Sequence, residues 1–386
     1  MASVTVLGAH SQIVGLTYDS SANAALAGRL AASISNAVLA GSLLPAVDTD
    51  GKPPTLASGA FGEFVLTRPG IAILTTGYDA VVASGTDETV FGSSNGKQSV
   101  LGGAGNLTYY ASTGSGTVVA GGGNDKIVIP GTDTGSWEVV LGNGNNAVQD
   151  SGSGNDTINV GTGPNRISLG TGTSEVLLNG GADTVYAGSG GTQITATAHG
   201  SDLVFGGSGA LTFVGGAGGA TIIGGAGSVS LQGGSSTNFA IGGAAGNNLL
   251  LGGTGQATLY GAGNGDRLIA QGSANQVLHA GKGNETLDAS ASHGNDTLYG
   301  GTGNATITGG ASNDLFAFVK GQAGGSDLIV NFTTVEKIAL QGYGPTAADD
   351  ALTSAKIISG STQLTLSDST KITLLNFTGL TKGNFS

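Results

Sequence analysis

Gly206-Gly-Ser-Gly-Ala-Leu-Thr-Phe-Val214, Gly215-Gly-Ala-Gly-Gly-Ala-Thr-Ile-Ile223, Gly224-Gly-Ala-Gly-Ser-Val-Ser-Leu-Gln232 and Gly233-Gly-Ser-Ser-Thr-Asn-Phe-Ala-Ile241 follow one another without a break. Each begins nine residues after the last, and Gly242 starts the next. After one inserted residue the pattern resumes at Gly252 and Gly261, and it returns at Gly300 and Gly309. Units this short cannot bury an apolar face alone, so they must stack as a solenoid. A few extended residues around one large aliphatic put a single side chain inward, because successive side chains alternate faces. The inward set expected from this spacing is Phe213, Ile222, Leu231, Leu259, Leu268, Leu298, Ile307 and Phe316. Glycine turns would reverse the chain after each strand, since glycine tolerates positive φ at little cost. Two units then make one coil. The predicted fold is all-β: a parallel β-roll or β-helix solenoid, with a short N-terminal helical segment and a C-terminal β cap.

Upstream the same grammar runs with irregular spacing from about Gly77, so the repeats are expected over 77–318. Residues 51–76, with Pro53-Pro54, read as a linker or entry strand. Within 1–50, Ser20 to Leu44 reads as a helix. Ser20 or Ser21 can cap it, and Leu26, Leu30, Ile34 and Val38 recur at helical spacing. It would either cover an open end of the solenoid or make an assembly contact. Beyond Phe318 the glycines give way to alternating segments such as Asp327-Leu-Ile-Val-Asn-Phe332, so 319–386 is expected to be a β cap.

Composition narrows the class. Glycine occurs 74 times in 386 residues and proline only 7 times, without a Gly-X-Y period, which excludes collagen. Disorder is a poor fit, because 39% of the chain is hydrophobic. The formal net charge is −12, from 25 acidic and 13 basic residues. That argues against nucleic acid and anionic membranes as partners; it suits cation binding or plain solubility. Cysteine is absent, so disulfides and thiolate metal sites are excluded. The N-terminus lacks the basic and apolar regions of a signal peptide, and Ala24 to Leu44 is too polar to span a bilayer. Any export would use a signal elsewhere.

Gly121-Gly-Gly-Asn-Asp125-Lys-Ile127, Gly152-Ser-Gly-Asn-Asp156-Thr-Ile158, Gly294-Asn-Asp296-Thr-Leu298 and Ser312-Asn-Asp314-Leu-Phe316 match the form Gly-Gly-x-Gly-x-Asp-x-U-x, with U a large aliphatic. On these residues the chain resembles the RTX (hemolysin-type) calcium-binding repeat proteins exported by type I secretion. Its layout is similar to glycine-rich calcium-binding proteins of alphaproteobacteria. The resemblance implies Ca²⁺ held between the turns of consecutive coils by the sixth-position Asp and backbone carbonyls, as a hard cation requires. It also implies a secreted, extracellular or cell-surface location. The C-terminus, from Ile372 to Ser386, resembles uncleaved type I export signals.

Between Gly206 and Gly261 the sixth position holds Leu211, Ala220, Val229, Asn238 and Ala257, so calcium is not expected there. The expected sites are few. Asp296 and Asp314 lie eighteen residues apart, one coil, and form the first candidate pair. Asp183 with Asp202, and Asp266 with Glu285, are each nineteen apart and form two more. The isolated Asp125 and Asp156 read as turn residues that bond their own backbone.

Catalytic signals are poor. Gly92-Ser-Ser94-Asn-Gly96 has the form of a nucleophile elbow but needs a strand-to-helix context and a partnered His. His10, His199, His279 and His293 are scattered, without metal-ligand or triad spacing. The reading is therefore non-enzymatic: a secreted structural protein that self-assembles into a filament, surface layer or biofilm matrix. The alternative is a monomeric adhesin or carbohydrate- or ice-binding solenoid contacting cell-surface polysaccharide. Thr212, Thr221, Thr258, Thr297 and Thr306, each just before an inward position, bear on it. A minor alternative is a polysaccharide-acting enzyme, which two or three clustered carboxylates would support.

Overall fold

The computed structural model describes residues 1–47, 52–94 and 96–386, so the boundary expected at 50/51 lies outside the described residues. The chain divides into two compact units, Met1–Asp202 and Leu203–Ser386, and each is a parallel β-solenoid. In the first, Phe64, Val81, Val100, Val118, Val139, Ile158, Val176 and Ile194 stack in register inside one sheet. Ala72, Val90, Tyr109, Ile127, Val148, Ile167 and Val185 stack inside the other. In the second unit the ladders are Phe213, Leu231, Leu250, Leu268, Leu287, Ile307 and Ile329, facing Ile222, Ala240, Leu259, Leu278, Leu298, Phe316 and Ile338. All eight residues expected to point inward do so, and all are buried. Fully burying each such side chain contributes about 1.5–3 kcal/mol.

The glycines serve a different purpose from the one expected. Most repeat glycines are not in the left-handed region. Gly135, Gly154, Gly172 and Gly190 stack on successive coils. A Cβ built on Gly172 would fall on the carbonyl oxygen of Gly154, and one on Gly190 on that of Gly172. Close approach of backbone to backbone is what excludes a side chain.

The N-terminal segment forms an antiparallel hairpin, β1 (Ala2–Leu7) with β2 (Ile13–Tyr18), followed by α1 (Ser21–Leu39). Ser20 caps the helix, its Oγ accepting from the Asn23 N–H at 3.0 Å. The helix packs along the flank of the coils rather than over their end. Its Ala24, Ala27, Ala31 and Ile34, with Val6, Leu16 and Tyr18 of the hairpin, lie against Val65, Val82, Leu101, Val119 and Val140. These five are neighbours on successive strands and point outward, each next to an inward residue. The row then turns polar at Asn159. The helix thus covers an apolar row as long as that row lasts.

Parallel pairing begins before Gly77: Leu44–Val47 pairs with Gly62–Leu66, and Gly70–Ile73 with Asp87–Phe91. Gly70–Ile73 is the terminal strand of its sheet. In the second unit, Ser326–Val330 pairs with Lys371–Leu374 in parallel, and Ser361–Thr365 and Lys356–Ile358 then add antiparallel. A short helix, α2 (Ala347–Ser354), interrupts the β region expected there.

Two glycine substitutions should therefore shift stability in opposite directions. Gly28→Ala, in α1 with open space around it, should stabilise by about 0.5–1 kcal/mol. Gly172→Ala should destabilise by about 1–3 kcal/mol through overpacking. Urea unfolding of both variants checks the pair; equal shifts would refute the close-approach explanation.

Candidate metal centre

The sixth position of each repeat sits where a turn enters a strand, and its side chain points into the stack. In the first unit this makes a continuous ladder. The Leu107 N–H donates to Asp125 Oδ1 at 2.9 Å, Asp125 N–H to Asn146 Oδ1 at 2.9 Å, and Asn146 N–H to Asn165 Oδ1 at 3.2 Å. Asn165 N–H donates to Asp183 Oδ1 at 2.8 Å, and Asp183 N–H to Asp202 Oδ1 at 3.3 Å. On the opposite edge Trp137 N–H donates to Asp156 Oδ1 at 2.7 Å. Each oxygen satisfies a backbone donor that the stack would otherwise bury unpaired.

The second unit repeats the device. Gln276 N–H donates to Asp296 Oδ1 at 2.7 Å and Asp296 N–H to Asp314 Oδ1 at 2.8 Å. On the other edge, Val229 N–H donates to Asn248 Oδ1 at 2.7 Å and Asn248 N–H to Asp266 Oδ1 at 2.9 Å. The register that pairs Arg267 with Thr286 sets Asp266 beside Glu285, whose Oε1 accepts from the Gly283 N–H at 2.7 Å. All three pairs expected from sequence, Asp296/Asp314, Asp183/Asp202 and Asp266/Glu285, thus occupy consecutive coils. Asp125 and Asp156 bond the neighbouring coil rather than their own turn, so the expectation for them is corrected.

Several carboxylates were missed. Asp327 Oδ1 accepts from the Ala305 N–H at 2.8 Å. Glu336 lies beside Asp314, and a Cβ on Gly309 would be 3.1 Å from Asp314 Oδ2 and 3.2 Å from Glu336 Oε1. Both follow Phe318, where the glycine pattern has stopped. Asp133 and Asp150 face Asp156; they are buried and accept from the Gly114, Gly135, Gly152 and Gly170 N–H groups and the Trp137 indole. The Gly92–Gly96 stretch, of which Asn95 lies outside the described residues, joins two strands, without the helix an elbow needs.

One oxygen of each carboxylate accepts a backbone N–H, from the neighbouring coil or, at Glu285, from its own turn; the other often has nothing. Oδ2 of Asp125, Asp156, Asp183, Asp296 and Asp327 and Oε2 of Glu285 are buried without a hydrogen-bond partner. Neither of the ion pairs Arg267–Asp288 and Lys382–Asp349 touches these groups. Burial, the largest cause throughout, pushes Asp183, Asp202 and Asp296 up to about 6, and Asp125, Asp156 and Asp327 up to about 7. Buried oxygens lacking both proton donor and counter-ion suit a hard cation. Among the described residues no three Asp, Glu, His or Cys side chains converge as a metal-ligand set. A cation here would need amide or backbone carbonyl oxygens as well.

Four stretches of the chain, 150–173, 161–194, 214–245 and 291–318, match the RTX calcium-binding nonapeptide repeat. Over those stretches the chain carries RTX-type repeats. No curated protein matches it. The matched stretches contain Asp156, Asp183, Asp296 and Asp314, whereas 214–245 holds no carboxylate at all. RTX character in this chain is therefore a matter of backbone grammar first and of metal ligands second.

The raised carboxylates set a pH dependence. Between the ordinary Asp value of 3.8 and about 7, the folded state keeps protons that the unfolded state has lost, so stability falls as pH rises through that window. His279, lowered to about 4 by burial, slopes the other way, but it is one group against six. In chelator, the melting temperature should fall between about pH 5 and about pH 8, and added calcium should restore more at the higher pH, where the ligands are deprotonated. A chelated protein most stable at about pH 8 would contradict this assignment.

Proposed function

We propose that this RTX-type chain is a non-enzymatic, secreted structural solenoid that calcium stabilises in part and that self-associates through its first coil. The observation that carries the reading is the edge there. Gly70–Ile73 pairs on one side only among the described residues, and its outward Ile71 and Ile73 are 60% and 65% exposed. Phe61 and Leu44 nearby are also exposed. An apolar strand edge is a template for another chain, and α1 leaves it open by lying on the flank. Head-to-tail contact that does not close would give a filament, burying at least about 1,000 Å² if specific.

Calcium is proposed at the turns of Asp296/Asp314, Asp183/Asp202 and Asp266/Glu285. The extracellular location rests on the RTX repeats; no helix among the described residues is long and apolar enough to cross a membrane. The threonine row offered for an ice- or sugar-binding face does not form. Thr212 and Thr306 lie in one sheet and Thr221, Thr258 and Thr297 in the other, with Ser230, Leu249, Phe239 and Val277 between them.

Light scattering with calcium present should show the parent growing with concentration and Ile71→Lys/Ile73→Lys remaining a folded monomer. A parent that stays monomeric at high concentration defeats the assembly reading. Calorimetric titration should find few ions, and Asp296→Asn/Asp314→Asn should remove the ion at that pair while leaving the others, whereas substitutions at Leu211 or Val229 should change nothing. One ion per repeat throughout would defeat the calcium assignment.

A further inference from the structure

We propose that the outward face of the first unit binds an acidic polysaccharide, with Lys126 and Arg166 receiving its carboxylates. This goes beyond self-association and does not depend on it. Lys126, Ala147 and Arg166 are register neighbours on three successive strands, so the two cations stand two strand spacings apart, about 10 Å. Both are exposed, and neither belongs to the ion pairs Arg267–Asp288 and Lys382–Asp349. In a chain with 25 acidic and 13 basic residues, that is an uncommon arrangement.

Each cation is held by a tyrosine. Lys126 Nζ lies 5.8 Å from the centre of the Tyr110 ring, and Tyr110 is stacked in turn on Phe91 at 4.6 Å. The Arg166 guanidinium lies 4.5 Å over the Tyr186 ring, and its Nη1 donates to the Tyr186 hydroxyl at 3.1 Å. Between them runs an open groove of about 360 Å³, floored by Ala147, Gln149, Ser151 and Ser168. Ala147 is small enough to leave the space; the amide and hydroxyls offer neutral hydrogen bonds. The carboxylates next in sequence, Asp125 and Asp150, are buried and bonded to backbone N–H groups of Leu107, Gly152 and Gly170. No carboxylate lines the groove.

Two separated cations with neutral donors between them fit a polymer whose charged units alternate with neutral hydroxylated ones. Nucleic acid fits poorly: it carries a charge every ~1.7 Å of duplex axis, far denser than two cations about 10 Å apart. A uronate-containing glycan has the sparse charge the groove can match.

The test uses fluorescent hyaluronan oligosaccharides, in which uronate alternates with a neutral sugar, and the full chain in calcium-containing buffer. Anisotropy should show saturable binding that weakens with salt, and uncharged chito-oligosaccharides of equal length should not bind. Lys126→Ala/Arg166→Ala should lose at least about tenfold in affinity, as expected for charge-assisted contacts, with an unchanged melting curve. Tyr186→Phe should lose a smaller factor, and Lys126→Arg should retain binding. Absence of hyaluronan binding by the parent, or equal binding by the double variant, overturns the proposal. So does equal binding of the neutral glycan, or tighter binding of poly-glutamate through the same two residues.

Discussion

Everything in this molecule depends on laying one coil about 4.8 Å above the last. That spacing is set by the parallel ladders, and it leaves three kinds of position with different demands. Inside, it asks for one aliphatic per strand, stacked on its counterpart. At the turns, it brings backbone so close to backbone that Gly154, Gly172 and Gly190 cannot carry a Cβ. Where a turn enters a strand, it buries an N–H that no strand partner reaches, and the sixth-position oxygen of the next coil accepts it.

That third demand separates two roles that the repeat motif merges. Asn146 and Asn165 serve the ladder as well as Asp125 and Asp183 do, through the same Oδ1 and the same kind of backbone donor. An amide satisfies the hydrogen bond without adding charge. A carboxylate does the same and leaves a buried oxygen over, which raises its affinity for a proton or a cation. Where Leu211, Ala220, Val229 and Ala257 stand, all buried, the position has given up oxygen and relies on apolar packing. The sixth position is thus a graded choice among packing, hydrogen bonding and ion binding.

Much of this was legible in the sequence. The nine-residue spacing identified the inward residues because strand alternation makes position equivalent to direction. The ladder partners were not legible, since donor and acceptor are separated by 18 residues at Leu107/Asp125 and by 22 at Ala305/Asp327. Insertions between coils change the count without changing the stack. The helix was legible, with Ser20 as its cap, but its place on the flank was not, because the inward aliphatic of each strand is only half of the signal and the residue beside it carries the other half. Val81-Val82, Val100-Leu101, Val118-Val119 and Val139-Val140 are apolar on both faces, and the pattern lapses at Ile158-Asn159. Such pairs signal a sheet covered outside as well as inside. They were the sequence record of α1.

The same spacing governs the outer faces, where it decides what an aromatic row can do. In the second unit Tyr260, His279 and Tyr299 occupy one outward row, with ring centres 4.2 Å apart and planes within 8° of parallel. Rings stacked that closely cover one another's faces, so the row stabilises its own coils and keeps His279 neutral rather than offering a platform to a ligand. In the first unit the row beginning Phe91–Tyr110 is broken by Val128, Gln149 and Ser168 before Tyr186. At the two sides of the break, Lys126 lies against the Tyr110 ring and Arg166 against the Tyr186 ring. A continuous aromatic ladder closes a face; an interrupted one opens a groove and puts fixed charges at its edges. Outer rows on one scaffold can therefore be structural or receptive according to whether the stack of rings is allowed to run on.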